Sequence, residues 1–385
     1  MLSKALAIVA LALALRPGLL ASQPLWTDKN IPPKVLEELT RAQDLGMSLR
    51  FDEAVAAIRE ARKGAPEHPL GEVFLMATLL SKVQEDFKAG HKEVSPEFFA
   101  EADRLVQMAE EQHQAYPDSA YPQLYLGAGY GVRGLAKLYA GSYMGSYLDG
   151  KKGVAYLKRV VAIEPELYDA YMGLGQFEYY CGTLGGVLQF LLALPGNPDK
   201  GLDMLKTCED KATYAAWPCK AYRAKLLISD RKDFAGAEPE LAALCTRYPG
   251  NYDFANAVSA SLQAGLNTAA LRRAAEEILR RNDQGWTPPA YSGFDAARFR
   301  LQLARSCIAA GEGATARPHL QQLADGPDTL PLELKREARA LLVQVPSAPG
   351  TTPLPVLAPA PAAVPTPHAV PRPGPSLATP TPFSR

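Results

Sequence analysis

Gly129-Tyr130-Gly131-Val132-Arg133-Gly134 matches the G-x-G-x-x-G spacing that cradles a dinucleotide pyrophosphate. That chemistry needs a strand before the first glycine and a helix dipole aimed at the phosphates. Here Gln123 to Ala128 reads as helix and no strand–helix alternation surrounds it, so close helix packing is the better account of these glycines. The histidines at 68, 91, 113, 319 and 368 are scattered without H-E-x-x-H spacing, and no C-x-x-C run suggests zinc. No G-x-S-x-G elbow supplies a serine nucleophile. Glu164 and Glu166 flank Pro165, which suits a helix terminus more than general-acid work. No enzyme and no cofactor is expected. Lys151, Lys152, Lys158 and Arg159 put four positive charges on one helix, with Lys151 and Lys158 on one face. A solvated face is the ordinary reading, and an anionic partner, lipid headgroup or peptide carboxylate the sharper one.

Two further residue types carry chemistry. Twelve of the seventeen tyrosines lie between Tyr116 and Tyr180, a concentration suited to a binding surface or to wedges between stacked helices. The five cysteines are an odd number and cannot all pair within one chain. Cys208 and Cys219 lie at similar distances on either side of a helix–helix turn near Ala212 to Ala215, so antiparallel helices would bring them together. Free cysteines in small core sites are the competing reading.

These residues must be positioned by helices. A pattern of small or apolar residues closed by proline runs Ala54, Ile58, Ala61, Pro66, and returns at Gly153, Leu157, Val160, Pro165 and at Ala237, Leu241, Leu244, Pro249. Such offsets let antiparallel helices approach closely, and the proline stops the second helix. The pattern predicts helix pairs over 33–66, 70–115, 218–247, 252–281 and 294–324, and a closing amphipathic helix over 331–344. The stretch 118–213 departs most, with A-type helices near 122–140 and 167–181 and an apolar insertion from Thr183 to Pro195. Packing over the solenoid is the preferred reading of that insertion.

The ends differ in composition. Lys4, the apolar run Ala5 to Leu15 and the small-residue exit Gly18 to Ser22 read as an export signal over 1–22. Thirteen of the last forty residues are proline, which predicts an extended, disordered tail over 346–385. With 41 basic and 41 acidic residues the net charge is zero, which argues against a nucleic-acid partner. No apolar run is long enough to span a membrane in the mature chain.

Asp169-Ala170-Tyr171-Met172-Gly173-Leu174-Gly175 resembles the A helix of a tetratricopeptide repeat, as do Leu126-Gly127 with Tyr130, and Ala54, Ala61 and Pro66 in the first pair. The stretch from Gly127 to Leu202 is similar to bacterial exported repeat proteins and more loosely to the tetratricopeptide repeat protein 39 group. The small A-helix residue expected near 225 is Lys225 unless one residue is inserted. The resemblance implies an all-α, right-handed solenoid over 23–345 that binds a protein or peptide in its concave groove without a cofactor. It also implies the groove positions: Asp169, Met172, Gln176, Tyr179 and Tyr180 in one A helix, and Tyr121, Leu124, Ala128, Gly131 and Val132 in another. Tyr179, Tyr180 and Met172 would be anchors, with Gln176 or Asp169 fixing orientation. The expected function is an exported scaffold of a bacterial envelope. The alternatives are a small-ligand or lipid receptor (or enzyme) with a pocket within 116–201, and an envelope protein tethered by its tail.

Overall fold

The computed structural model describes residues 24–183 and 196–345; the export signal over 1–22, residues 184–195 of the apolar insertion and the tail over 346–385 lie outside the described residues. The described residues are all-α, with no strand among them. Fifteen α-helices follow in order: α1 Pro33–Met47, α2 Phe51–Arg62, α3 Pro69–Lys88, α4 Pro96–Ala115, α5 Ala120–Tyr139, α6 Tyr143–Ile163, α7 Ala170–Thr183, α8 Pro198–Lys211, α9 Ala216–Leu226, α10 Phe234–Arg247, α11 Tyr252–Gln263, α12 Ala269–Asp283, α13 Ala296–Ala309, α14 Gly313–Ala324 and α15 Leu332–Gln344. Each odd-numbered helix up to α13 pairs with the even-numbered helix that follows it, and α15 closes the array against α14. The chain is a helical-repeat solenoid.

One rule recurs in every second helix of a pair. Buried residues at i, i+4 and i+7 form one stripe: Ala54/Ile58/Ala61 in α2, Ala102/Val106/Ala109 in α4, Gly153/Leu157/Val160 in α6, Gly201/Leu205/Cys208 in α8, Ala237/Leu241/Leu244 in α10, Leu271/Ala275/Ile278 in α12 and Ala316/Leu320/Leu323 in α14. The first residue of the stripe is Ala or Gly in six of these seven helices, which sets how closely the pair can approach. Starts and stops follow local chemistry. Proline stands at the first helical position of α1, α3, α4 and α8. Side chains of Ser95, Asn197, Asp233, Asn251, Thr268 and Asp295 accept from the exposed first-turn amides of their helices.

The Tyr/Gly-rich middle is built from two tight pairs. α5 and α6 are long, 20 and 21 residues, joined by a turn in which Gly141 takes φ 77°. A Cβ on Gly153 would lie 3.0 Å from the Gly127 carbonyl oxygen, and one on Gly134 3.2 Å from the Gly150 amide nitrogen. Gly129, Gly131 and Gly134 thus sit inside a helix, where Gly129 and Gly134 face neighbouring helices, and not in a phosphate loop. Asp149, buried at the α5–α6 interface, accepts from Arg133 at 2.7 and 2.9 Å and from Lys137 at 2.7 Å. Burial works to raise its pKa, and these cations outweigh that and hold it below the usual carboxylate value.

Past α8 the register is absorbed locally. Cys208 and Cys219, both fully buried, are joined by a disulfide across the α8–α9 turn. Cys181, Cys245 and Cys307 are free and buried. Ala224, not Lys225, faces the core, and a π-helical turn, Leu227–Arg231, takes up the extra residue at the end of α9.

At the far end Arg300, 5% exposed, donates to Asp283 at 2.5 Å and lies 3.3 Å from His319 Nδ1. Burial, with the Arg300 charge assisting against the opposing pull of Asp283, pushes the His319 pKa down to about 4. The folded chain therefore holds this imidazole neutral where the unfolded chain, with a pKa near 6.5, takes up a proton. The stability that His319 contributes is full above pH about 6.5 and is lost as pH falls toward 4. We expect about 2 kcal/mol of lost stability between pH 6.5 and pH 5 from this group. Urea melts across that window check it: His319→Gln should flatten the slope, and an unchanged slope would show that the group does not titrate this way.

Candidate functional site

The residues that the resemblance assigns to one groove do different jobs. Tyr179 is 1% exposed and packs with Leu205, Cys208, Cys219 and Leu226, so it is a core residue and not a partner anchor. The correction has a simple cause: α7 and α8 cross at Gly175 and Gly201, and that approach draws the next turn of α7 into the interface. Asp169 Oδ1 accepts from the amides of Tyr214 and Ala215 at 2.9 and 2.8 Å, and Oδ2 from Thr213 at 3.1 Å. From the turn before α7 it thereby satisfies three backbone amides of the segment that leads into α9. Its burial raises its pKa against the lowering effect of those amides. Met172 packs beside the Tyr179 cluster and Leu124 beside Ala120, Leu157 and Leu174. Gln176 is partly buried. Tyr180 is 43% exposed, and its hydroxyl accepts from Tyr222 at 2.6 Å.

Tyr121 ties down the segment that precedes α1. Its hydroxyl donates to Asp28 at 2.5 Å, and burial first, then that carboxylate, raises its pKa well above the ordinary phenol value. His68 Nε2 lies 3.0 Å from the Thr27 carbonyl while Nδ1 accepts from the Leu70 amide, so the ring is neutral; burial lowers its pKa. The Trp26 amide donates to Gln112 at 3.1 Å. Residues 24–31 are thus held by α3, α4 and α5.

The first pairs also meet α9, α10 and α11. Asp44 of α1 accepts from the Tyr248 hydroxyl at 2.7 Å and from Arg247 Nη2 at 2.9 and 3.0 Å. Asn251 donates to the Met47 carbonyl at 2.8 Å, Tyr252 to Glu85, and Lys88 to Asp253 at 2.6 Å. Gln43 donates to the Tyr214 carbonyl at 3.1 Å, and Phe74 meets Tyr214 edge-on. Met47 packs with Trp217, Ala221 and Tyr248. Contacts between residues 165 to 204 positions apart therefore close the solenoid upon itself along a seam.

One cavity of about 280 Å³ opens at that seam. Phe51, Tyr252, Trp286 and Tyr291 supply its aromatic wall, Pro288 and Pro289 a rigid lip, and Lys82, Asp52, Glu85 and Asp86 its charges. Lys82 pairs with Asp52 at 2.5 Å, and Tyr291 remains 46% exposed. Aromatics flanked by both charge signs suit an extended peptide better than a small reactive substrate. Sequence reasoning missed this cleft. Its signal was the Trp286-Thr287-Pro288-Pro289 run between two helices, an aromatic next to rigid turn residues in a connecting segment. Among the described residues no group of three or more His, Cys, Asp or Glu is arranged to hold a metal ion, and no helix is long and apolar enough to cross a membrane.

No family model matches the chain, and no curated protein matches it. Among solved structures it is similar to residues 1–338 of Acl4, the assembly chaperone of RpL4, at 16% identity over 70% of this chain and 97% of that chain. The TM-score is 0.25, so the likeness adds nothing to what the helices themselves establish.

Proposed function

We propose that the chain is an exported, non-catalytic scaffold that binds a protein or peptide, and that recognition centres on the seam cleft and not on residues 169–180. The observation that carries this reading is the exposed Tyr291 ring beside Trp286 and Tyr252 at a place where distant repeats of the solenoid meet around an open cavity. Rigid aromatics bind at low entropic cost, and Lys82 with Asp86 offers charges to orient a main chain. The signal-type N-terminus supports the exported part of the proposal, as does a buried disulfide, which suits an oxidising compartment.

The test is a crosslinked pull-down from an envelope extract with the wild-type chain, Trp286→Ala/Tyr291→Ala and Tyr222→Ala. Losing two interface aromatics should weaken capture by roughly 10-fold or more. Tyr222→Ala, which alters the neighbourhood of Tyr180 and the Tyr179 cluster and lines no part of the cleft, should leave capture unchanged. Equal capture by all three proteins would move the site away from the cleft.

A further inference from the structure

The outer face of α6 is organised in a way that protein recognition at the cleft does not use. Its inner face is spent on α5 and α7 through Asp149, Gly153, Leu157 and Val160. Opposite it, Met144, Leu148, Ala155 and Ala162 stand at i, i+4, i+11 and i+18 and are all exposed. Lys151 and Lys158 flank that line on one side, Lys152 and Arg159 on the other, all four exposed. At the tip, Leu138, Tyr143, Met144 and Leu148 are 46%, 73%, 70% and 52% exposed, a clustering of large apolar side chains found nowhere else among the described residues.

Charge complements this ridge. From Gly134 to Ile163 the sequence holds five basic residues and one acid, Asp149, which is buried and already paired with Arg133 and Lys137. Of the acids near this face, Glu110 accepts from the Tyr130 hydroxyl at 2.8 Å, Glu178 of α7 pairs with Lys200 at 2.7 Å, and Glu164 and Glu166 lie past the helix end. Lys152 lies 5.0 Å from the Tyr130 ring, Lys158 5.9 Å from Phe177 and Arg159 5.6 Å from Tyr156. Their charged groups rest over these rings beside the apolar line and remain exposed to solvent there. An apolar midline with cations on both margins and a tyrosine and methionine at the tip is the pattern of a helix lying in a bilayer interface.

We infer that α6 docks the solenoid on an anionic membrane surface, with Tyr143, Met144 and Leu148 entering the headgroup region and Lys151, Lys152, Lys158 and Arg159 contacting lipid phosphates. The helix lies on the membrane and does not cross it. This surface is separate from the cleft, and its use depends on no partner there.

Flotation of the purified full-length chain with vesicles of phosphatidylcholine alone, or with a third phosphatidylglycerol, tests it. Each interfacial Lys or Arg strengthens binding about 5-fold, so Lys151→Gln/Lys158→Gln should weaken partitioning into the anionic vesicles by about 25-fold. Met144→Ser/Leu148→Ser should weaken it as well, and half-molar KCl should erase the preference for anionic lipid. All four positions are exposed, and unchanged far-UV circular dichroism verifies the fold. Equal flotation with both vesicle types would overturn the proposal, as would wild-type partitioning by either variant; the N-terminal stretch is common to every protein compared. Charge-dependent capture by polyglutamate that ignores the Met144→Ser/Leu148→Ser change, without flotation, would identify an acidic protein surface as the partner and refute the membrane.

Discussion

Replacing Gly201 by alanine should destabilise the chain by about 2 kcal/mol net, whereas Gly131→Ala should stabilise it by up to about 1 kcal/mol. Both glycines are helical, so both substitutions gain the same intrinsic preference of alanine over glycine, roughly 1 kcal/mol. They differ in what the new methyl meets. At Gly201 it would lie 2.7 Å from the Gly175 carbonyl oxygen and 2.7 Å from the Tyr179 amide nitrogen, with Tyr179 Cβ at 2.9 Å. These are backbone or backbone-proximal atoms of a facing helix and cannot swing aside, so α7 and α8 must move apart. That separation loosens the cluster of Tyr179, Leu205, Cys208, Cys219 and Leu226. At Gly131 nothing lies within 4 Å of the added carbon. Urea midpoints of the two variants give the difference directly. Equal shifts would show that close backbone approach is not what holds this pair.

The same glycines show how far the sequence could be read. Gly153 and Gly201 take the place that alanine fills in most other second helices, so the buried stripe and the all-α class were legible from spacing alone. That Cys208 and Cys219 face each other was legible from the antiparallel turn, but the bond between them was not, because free thiols fit small core sites equally well. Burial at the next turn was not. Tyr179 and Tyr180 are adjacent, yet one is a core residue and the other is 43% exposed, and only the α7–α8 crossing decides between them. A groove rule taken from regular repeats also assumes that the superhelix stays open. Whether it does depends on side chains some 200 residues apart, Asp44 with Tyr248 and Glu85 with Tyr252, which no local pattern links. The π turn after α9 was legible as a one-residue excess near Lys225, though its form was not.

That seam leads to the second large effect. Asp44→Ala should cost about 2–4 kcal/mol, because it removes the acceptor of the Tyr248 hydroxyl and of the Arg247 guanidinium together. Tyr248 is 2% exposed and cannot turn to water without disturbing Trp217 and Phe254, whose rings pack against it. Asp44→Asn keeps a neutral acceptor for the hydroxyl and should cost about half as much. The helices themselves do not depend on this contact, since each pair has its own buried stripe, so helix content should remain while the seam opens. Small-angle scattering should then report a larger radius of gyration for Asp44→Ala than for wild type at equal circular dichroism. Adding Glu85→Gln, which weakens the Tyr252 contact on the neighbouring helices, should enlarge the increase. A variant that loses stability but keeps the wild-type radius would mean that Asn251 with Met47 and Lys88 with Asp253 suffice to hold the seam. An open form that captures partner less well than wild type would favour the cleft as the recognition site. Better capture would favour the concave surface that the seam now covers, because there the chain's own side chains compete with the partner.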